Sequence, residues 1–271
     1  MLILLPPSEG KTAPADDDGA RLNLAALRFP QLTAARTEVI EALAVLSGTD
    51  LAQTTLKVGP KALSEVAANT RLFHEPAAPA YRIYTGVLYE ALGASSLSEA
   101  ELHRAAEQVL VFSGGFGVTG LTDVIPAYRC SMDVKLPIVG NLGSFWKKQL
   151  KDPMDDLVGD QLVVDCRSGA YQRAYSGPAE QMLQVNSFTE KDGQRKVITH
   201  FAKHARGELA GMLLRCATAP ETVEDVAGLA AGRWRVQVRP ATGRTPHQLD
   251  LVEPASPEAA VPQRAGATCR A

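Results

Sequence analysis

A mixed α/β (α+β) fold is predicted by three observations. Short apolar runs alternate with helical patterns along most of the chain. The first of those runs, MLILL, is cut off by Pro6-Pro7, as a short buried strand is. Hydrophobic residues are 45% and charged residues 21% of the 271 residues, which gives a core without the high-charge signature of disorder.

Strands are expected at 2–5, 109–113, 162–165, 182–188 and 197–199, with a further one at 233–238. Each is a run of Val, Ile, Leu, Met or Phe bounded by Gly, Pro or polar residues. Helices are expected at 33–46, 60–72, 98–108, 142–150 and 200–214, where apolar residues recur at helical spacing. Ser98 followed three residues later by Glu101 is a capping box, in which each side chain satisfies a backbone amide of the other residue. Within 200–214, Ala202, Ala205, Leu209, Met212 and Leu213 mark a buried stripe, and Lys203, Arg206 and Gly207 share a neighbouring face. The segment 239–271 is dense in Pro, Ala, Gly and polar residues, and it reads as a disordered tail. Asp16-Asp17-Asp18-Gly19 reads as a solvated loop.

Lys and Arg total 28 against 30 Asp and Glu, so a net charge of -2 supplies no global attraction to nucleic acid or to an anionic membrane. A polyanionic partner has to be held by a local basic surface. MLILL is too short for a signal-peptide core, and no run approaches the roughly 20 apolar residues that cross a bilayer. Cys130, Cys166, Cys216 and Cys269 stand far apart with no C-x-x-C pair. A cytoplasmic protein with reduced thiols, no metal, no cofactor and no membrane partner is expected.

Five segments bear on chemistry. Gly10-Lys11-Thr12 follows a strand, as the end of a phosphate-binding loop does, but Leu5 stands where that loop needs Gly and no helix follows. What survives is that Ser8, Lys11 and Thr12 lie just past a strand end, where α/β proteins place ligand contacts. Residues 50–72, with Lys57-Val58-Gly59-Pro60-Lys61 at the turn, resemble a helix-hairpin-helix, which offers turn amides and a helix N-terminus to a DNA phosphate. Lys57 replaces the usual first Gly of such a hairpin. The run Ser113-Gly114-Gly115-Phe116-Gly117 reads as a ligand-facing loop, with Tyr128, Arg129, Asp133 and Lys135 downstream. Arg167 and Ser168 again follow a strand. Lys191 to Arg215 is a basic stretch, in which His200 and His204 lack the third ligand of a zinc helix.

Together these blocks resemble the YaaA family of peroxide-stress proteins, in the branch common in high-GC Gram-positive bacteria. The likeness runs through PPSEGKT at 6–12, YTGVLYEAL at 84–92, SGGFGVTGLTDVIPAYRCSM at 113–132, FW at 145–146, DCRSGAY at 165–171 and KVITHFAKHARG at 196–207. The resemblance implies one YaaA-type domain over 1–238, a positively charged cleft and a helix-hairpin-helix-like element. It also implies binding of double-stranded DNA and a role in limiting damage linked to intracellular iron. Carried onto this sequence, the cleft residues are Lys11, Thr12, Arg129, Arg167, Ser168, Lys203 and Arg206, and the hairpin residues are Gly59 and Lys61. Ser8, Tyr84 and Lys135 complete the candidate site.

Two functions remain open. The cations can serve to neutralise phosphates, in which case DNA is read by shape more than by sequence. The variety of polar groups, among them Ser8, Tyr84, Ser113, Tyr128, Ser168 and Tyr171, also suits an enzyme acting on a nucleotide- or nucleobase-like small molecule. No Ser/His/Asp order or carboxylate pair fixes a reaction.

Overall fold

The apolar runs assemble side by side. In chain order the strands are β1 (Leu2–Leu5), β2 (Ala77–Pro79), β3 (Val109–Ser113), β4 (Gly117–Gly120), β5 (Val124–Pro126), β6 (Lys135–Leu136), β7 (Gly140–Asn141), β8 (Val163–Asp165), β9 (Met182–Lys191), β10 (Gln194–Lys196), β11 (Arg235–Arg239) and β12 (His247–Glu253). The helices are α1 (Thr33–Ser47), α2 (Ala52–Thr55), α3 (Leu63–Ala68), α4 (Ala80–Ile83), α5 (Val87–Leu92), α6 (Glu99–Gln108), α7 (Leu142–Val158), α8 (Gly169–Gln172), α9 (Thr199–Arg215) and α10 (Val223–Ala231). This computed structural model describes residues 1–15, 18–191 and 194–253, with the side chains of Lys61 and Lys191 outside that description. Asp16, Asp17, Cys269 and the expected tail beyond residue 253 lie outside the described residues.

One sheet runs β11-β12-β9-β8-β1-β3-β4, with β10 paired to β9. Its five middle strands, β12, β9, β8, β1 and β3, are parallel, with Leu2 opposite Val163 and Ile3 opposite Val109. Strands buried on both faces need continuous apolar sequence, and β1 and β3 are buried throughout. Because these strands are parallel, the segments that leave β1, β3 and β8 emerge on one edge of the sheet.

Several elements exceed their sequence signals. Helix α7 runs to Val158 through Pro153, beyond the expected stop at 150. Its residues Leu142, Trp146, Leu150, Met154 and Val158 form one buried row at i,i+4 spacing, and that burial outweighs the backbone hydrogen bond Pro153 cannot donate. The strand expected at 197–199 is displaced to β10, which pairs with Thr189 to Lys191 of β9, and α9 begins at Thr199. The capping box at Ser98 and Glu101 is present.

The largest correction concerns the C-terminal boundary. Residues 247–253 are not tail: β12 lies inside the sheet, parallel to β9 and antiparallel to β11. Leu249, Leu251 and Val252 are buried. The domain therefore extends to Glu253, past the expected limit at 238. Arg36, also buried, donates to the carbonyls of Arg28, Phe29, Phe116 and Val118, tying α1 to β4 and to the loop before it.

Candidate functional site

The chain leaving β1 turns at Pro6-Pro7 and runs as Ser8-Glu9-Gly10-Lys11 across the C-terminal edge of the sheet. Tyr89 fixes its start by donating to the Pro6 carbonyl at 2.8 Å, and Ser8 donates to the Thr85 carbonyl. Lys11 pairs with Tyr84 in an isolated antiparallel bridge. Three contiguous cavities surround this segment. One of about 360 Å³ is lined by Ser8, Glu9, Lys11, Lys57, Arg129, Cys130, Ser131, Asp133, Ser168 and Tyr171. A second of about 220 Å³ is lined by Ser168, Tyr171, Asn186, Lys203 and Arg206. Pro7, Glu9, Ser168 and Tyr171 line both. The third, also about 220 Å³, lies between Pro6 to Gly10, Gly86 to Tyr89 and Lys203.

Lys11 is held at the wall of the first cavity. Its Nζ donates to the Ser8 carbonyl at 2.7 Å and lies 4.4 Å from the Tyr128 ring centre and 5.6 Å from that of Tyr84. Burial, and secondarily the charge of Arg129, lower its pKa to about 7. Beneath it, Tyr84 and Tyr128 share a hydroxyl–hydroxyl hydrogen bond of 2.9 Å, and Tyr84 stacks on Tyr89. Burial pushes all three phenols well up, so they stay protonated. Cys130 is pushed up to about 12 by burial and stays a thiol.

Arg129 is placed by Asn69, whose carboxamide donates to the Arg129 carbonyl and accepts from its amide, both at 2.9 Å. The guanidinium then donates to the Glu9 carbonyl at 2.7 Å and to Glu65 at 3.2 Å. On the opposite wall, Lys57 adopts a left-handed φ of 55° and pairs with Asp133 at 3.2 Å. A positive φ is uncommon for a residue that carries a Cβ, so the backbone turns sharply at Lys57. Gly59 precedes a single turn over Pro60–Ala62 and then α3. The expected helix at 60–72 is thus broken into short turns. Lys61 sits in the first of them.

Helix α9 supplies the other wall. Gly207 and Gly211 lie against the carbonyls of Leu88 and Leu92, so α9 packs on α5 with no room for a Cβ. This close approach sets Lys203, exposed, over the Pro6 to Gly10 loop, and lets Arg206 donate to the Val185 carbonyl at 3.0 Å.

Four candidate residues have other places. Arg167 is fully buried rather than cleft-facing. It pairs bidentately with Asp165 at 2.8 and 2.9 Å, donates to the carbonyls of Tyr171 and Tyr175, and stacks on Phe112. It braces the turn that carries Ser168 and Tyr171. Tyr84 is buried under Lys11 and lines none of these cavities. Thr12 and Lys135 are exposed outside them. The Gly-rich loop also faces inward: a Cβ on Gly114 would meet the Ser131 carbonyl at 2.6 Å, and one on Gly117 the Trp146 ring at 2.5 Å. Its glycines make room for neighbouring backbone and for an indole, not for a ligand.

Of the candidate cleft residues, Ser8, Lys11, Arg129, Ser168, Lys203 and Arg206 line these cavities, whereas Arg167, Thr12, Tyr84 and Lys135 do not. Asn69 and Glu65 are additions that no motif signalled. Among the described residues no group of His, Cys, Asp and Glu is arranged to hold a metal ion, and Cys130, Cys166 and Cys216 are buried. No described helix is long and apolar enough to cross a membrane.

Residues 1–238 match the family described as peroxide stress protein YaaA. The chain belongs to that family. A UPF0246 protein of Streptomyces coelicolor is 42% identical over 257 residues, 93% of this chain and 98% of its own length. UPF0246 proteins of Corynebacterium efficiens and Corynebacterium glutamicum are 40% and 38% identical, covering 86% and 85% of this chain and 92% and 91% of theirs. These relatives come from Streptomyces and Corynebacterium, high-GC Gram-positive genera. β12 lies beyond the matched residues of YaaA and completes the same sheet.

Proposed function

We propose that this YaaA-family chain serves the peroxide-stress response as a cytoplasmic DNA-binding protein that grips duplex backbone in the cleft and limits damage linked to intracellular iron. One observation carries the reading: Lys11, Arg129, Lys203 and Arg206, nearly two hundred residues apart in sequence, line contiguous cavities beside the sharp turn at Lys57. Lys203 and Arg206 meet phosphates from α9, and Gly59 and Lys61 meet them from the hairpin. No exposed helix among the described residues offers the Asn or Gln pair that reads adenine edges, so recognition is by shape. Backbone covered by protein is shielded from radicals that iron generates from peroxide. Anisotropy titration of an undamaged labelled duplex at several salt concentrations tests this. Affinity that falls with salt supports it, and absence of binding at low salt overturns it.

A second reading is favoured by the 360 Å³ cavity, which is at the small end of ligand pockets and sets the Lys11 amine, packed on the Tyr128 ring, beside Arg129, Ser168 and Tyr171. It is an enzyme on a nucleotide-like small molecule. Native mass spectrometry of the purified protein separates the two: a retained nucleotide favours the enzyme.

A further inference from the structure

Lys11 meets the large cavity without a counter-ion. Its Nζ donates to the Ser8 carbonyl, and no carboxylate among the described residues pairs with it. Arg129 lines the same cavity and opposes a second positive charge there. A lysine kept for phosphate needs its charge, whereas burial takes the Lys11 amine away from water. A desolvated lysine beside another cation is instead the arrangement that turns an amine into a nucleophile.

We propose that Lys11 forms a Schiff base with an aldehyde that also carries a phosphate, the carbonyl carbon seated at Nζ and the phosphate at Arg129. Arg129 uses Nη1 on Glu9 and Glu65, which leaves Nε and Nη2 without partners among the described residues. Ser168 adds a hydroxyl to the same cavity. The step balances without an oxidant or reductant. The Nζ lone pair forms a bond to the carbonyl carbon as the π electrons move to oxygen, and one Nζ proton passes to that oxygen. The C–O bond then breaks, the second Nζ proton leaves with it as water, and an imine remains. Tyr171, a cavity-lining phenol kept protonated by burial, is placed to relay these protons. Once protonated, the imine is a cation, and the Tyr128 face that holds the ammonium holds it equally.

Two sources share this chemistry: a free sugar phosphate, and the ring-opened sugar of a base-less site in DNA. The inference rests on the cavity and not on the DNA-binding reading, so either can fail alone.

The test is reductive trapping of the full-length protein with cyanoborohydride. One arm holds 2-deoxyribose 5-phosphate and the other a duplex with one base-less site, and adducts are mapped by peptide mass spectrometry. At pH 7 the neutral fraction of an amine with a pKa of about 7 exceeds that of an ordinary lysine about a thousandfold. The adduct is therefore expected at Lys11 before any other lysine, with a rate that levels off above about pH 7 while surface lysines keep accelerating. Lys11→Arg should abolish it, with a melting curve confirming that the variant folds. Trapping in either arm supports the proposal and names the source. Adducts spread over lysines without preference for Lys11, or a Lys11 rate that still climbs at pH 9, overturn it. Undamaged duplex binding, measured in parallel, reports separately on the DNA reading.

Discussion

Asn69 holds the backbone of Arg129 from both sides, donating to its carbonyl and accepting from its amide at 2.9 Å each, across a sequence separation of sixty residues. Asn69 is fully buried at the end of α3, so water cannot replace either bond. The guanidinium position that lines the large cavity depends on this clamp.

Replacing Asn69 with Ala should therefore cost about 1–3 kcal/mol, the penalty for leaving buried backbone groups unpaired. Asn69→Asp keeps the acceptor, loses the donor and buries a charge, so it should be at least as costly. Chemical denaturation measures both. A change within about 0.5 kcal/mol, typical of an inert surface site, would contradict the clamp.

The C-terminal strand supports the opposite side of the sheet. A chain ending at Arg239 loses β12, which exposes the edge of β9 and unpairs β11. It should not give a cooperative melt. Leu251→Ala in the full chain removes a fully buried side chain and should cost about 2–5 kcal/mol. If the shortened chain melts like the full one, β12 is dispensable.

Legibility in the sequence varied with how far each signal depends on neighbours. β1, β3, the capping box at Ser98 and the buried row of α9 are local patterns, and they were readable. β12 was not, although Leu249 and Leu251 alternate with Gln248 and Asp250, because Pro, Gly and Thr around residues 240–246 resemble a linker until the hairpin to β11 is known. Arg167 follows a strand just as Ser168 does. Only the fold shows that Asp165, two residues earlier, faces back and neutralises it. Asn69 carries no motif at all, since its partners are the main-chain atoms of a distant residue.

Glycines in the two C-terminal helices give opposite expectations. Gly207→Ala gains helix propensity of about 0.8–1.0 kcal/mol, yet its Cβ would collide with the Leu88 carbonyl, and overpacking against backbone costs about 1–3 kcal/mol. The collision wins, so the variant melts lower and α9 shifts away from the Pro6 to Gly10 loop. Gly228→Ala in α10 meets nothing within 4 Å and should raise the melting temperature. Equal effects at both sites would mean that α9 and α5 are not in close contact.

Lys11 makes stability depend on pH in a definite direction. Its folded pKa of about 7 lies below the unfolded value of about 10.4, so between these values the unfolded chain binds more protons. The contribution of Lys11 to stability thus rises as pH increases from about 7 towards 10. Lys11→Met removes it, and the difference in melting temperature between variant and wild type should narrow or reverse in favour of wild type as pH rises through that window. A difference that is constant from pH 6 to 10 would show that Lys11 titrates normally.

Salt dependence is the most direct check on DNA binding. With a net charge of -2 there is no long-range attraction, so affinity must come from about three to five phosphates met by the hairpin and the cleft rim, giving a slope of log affinity against log salt of about -3 to -4. Lys203 is exposed at the end of α9 that overhangs two cavities, where reversing its charge disturbs no packed side chain. Lys203→Glu should weaken binding to every duplex sequence alike and make the slope shallower by about 0.9 for each phosphate no longer neutralised. Lys61→Glu should act in the same way from the hairpin, and the two effects should add, because the sites are on different elements. A sequence-dependent loss would instead reveal base contacts. If Lys203→Glu leaves duplex affinity and slope unchanged while a small phosphorylated ligand no longer binds, the cleft serves small molecules and the DNA surface lies elsewhere.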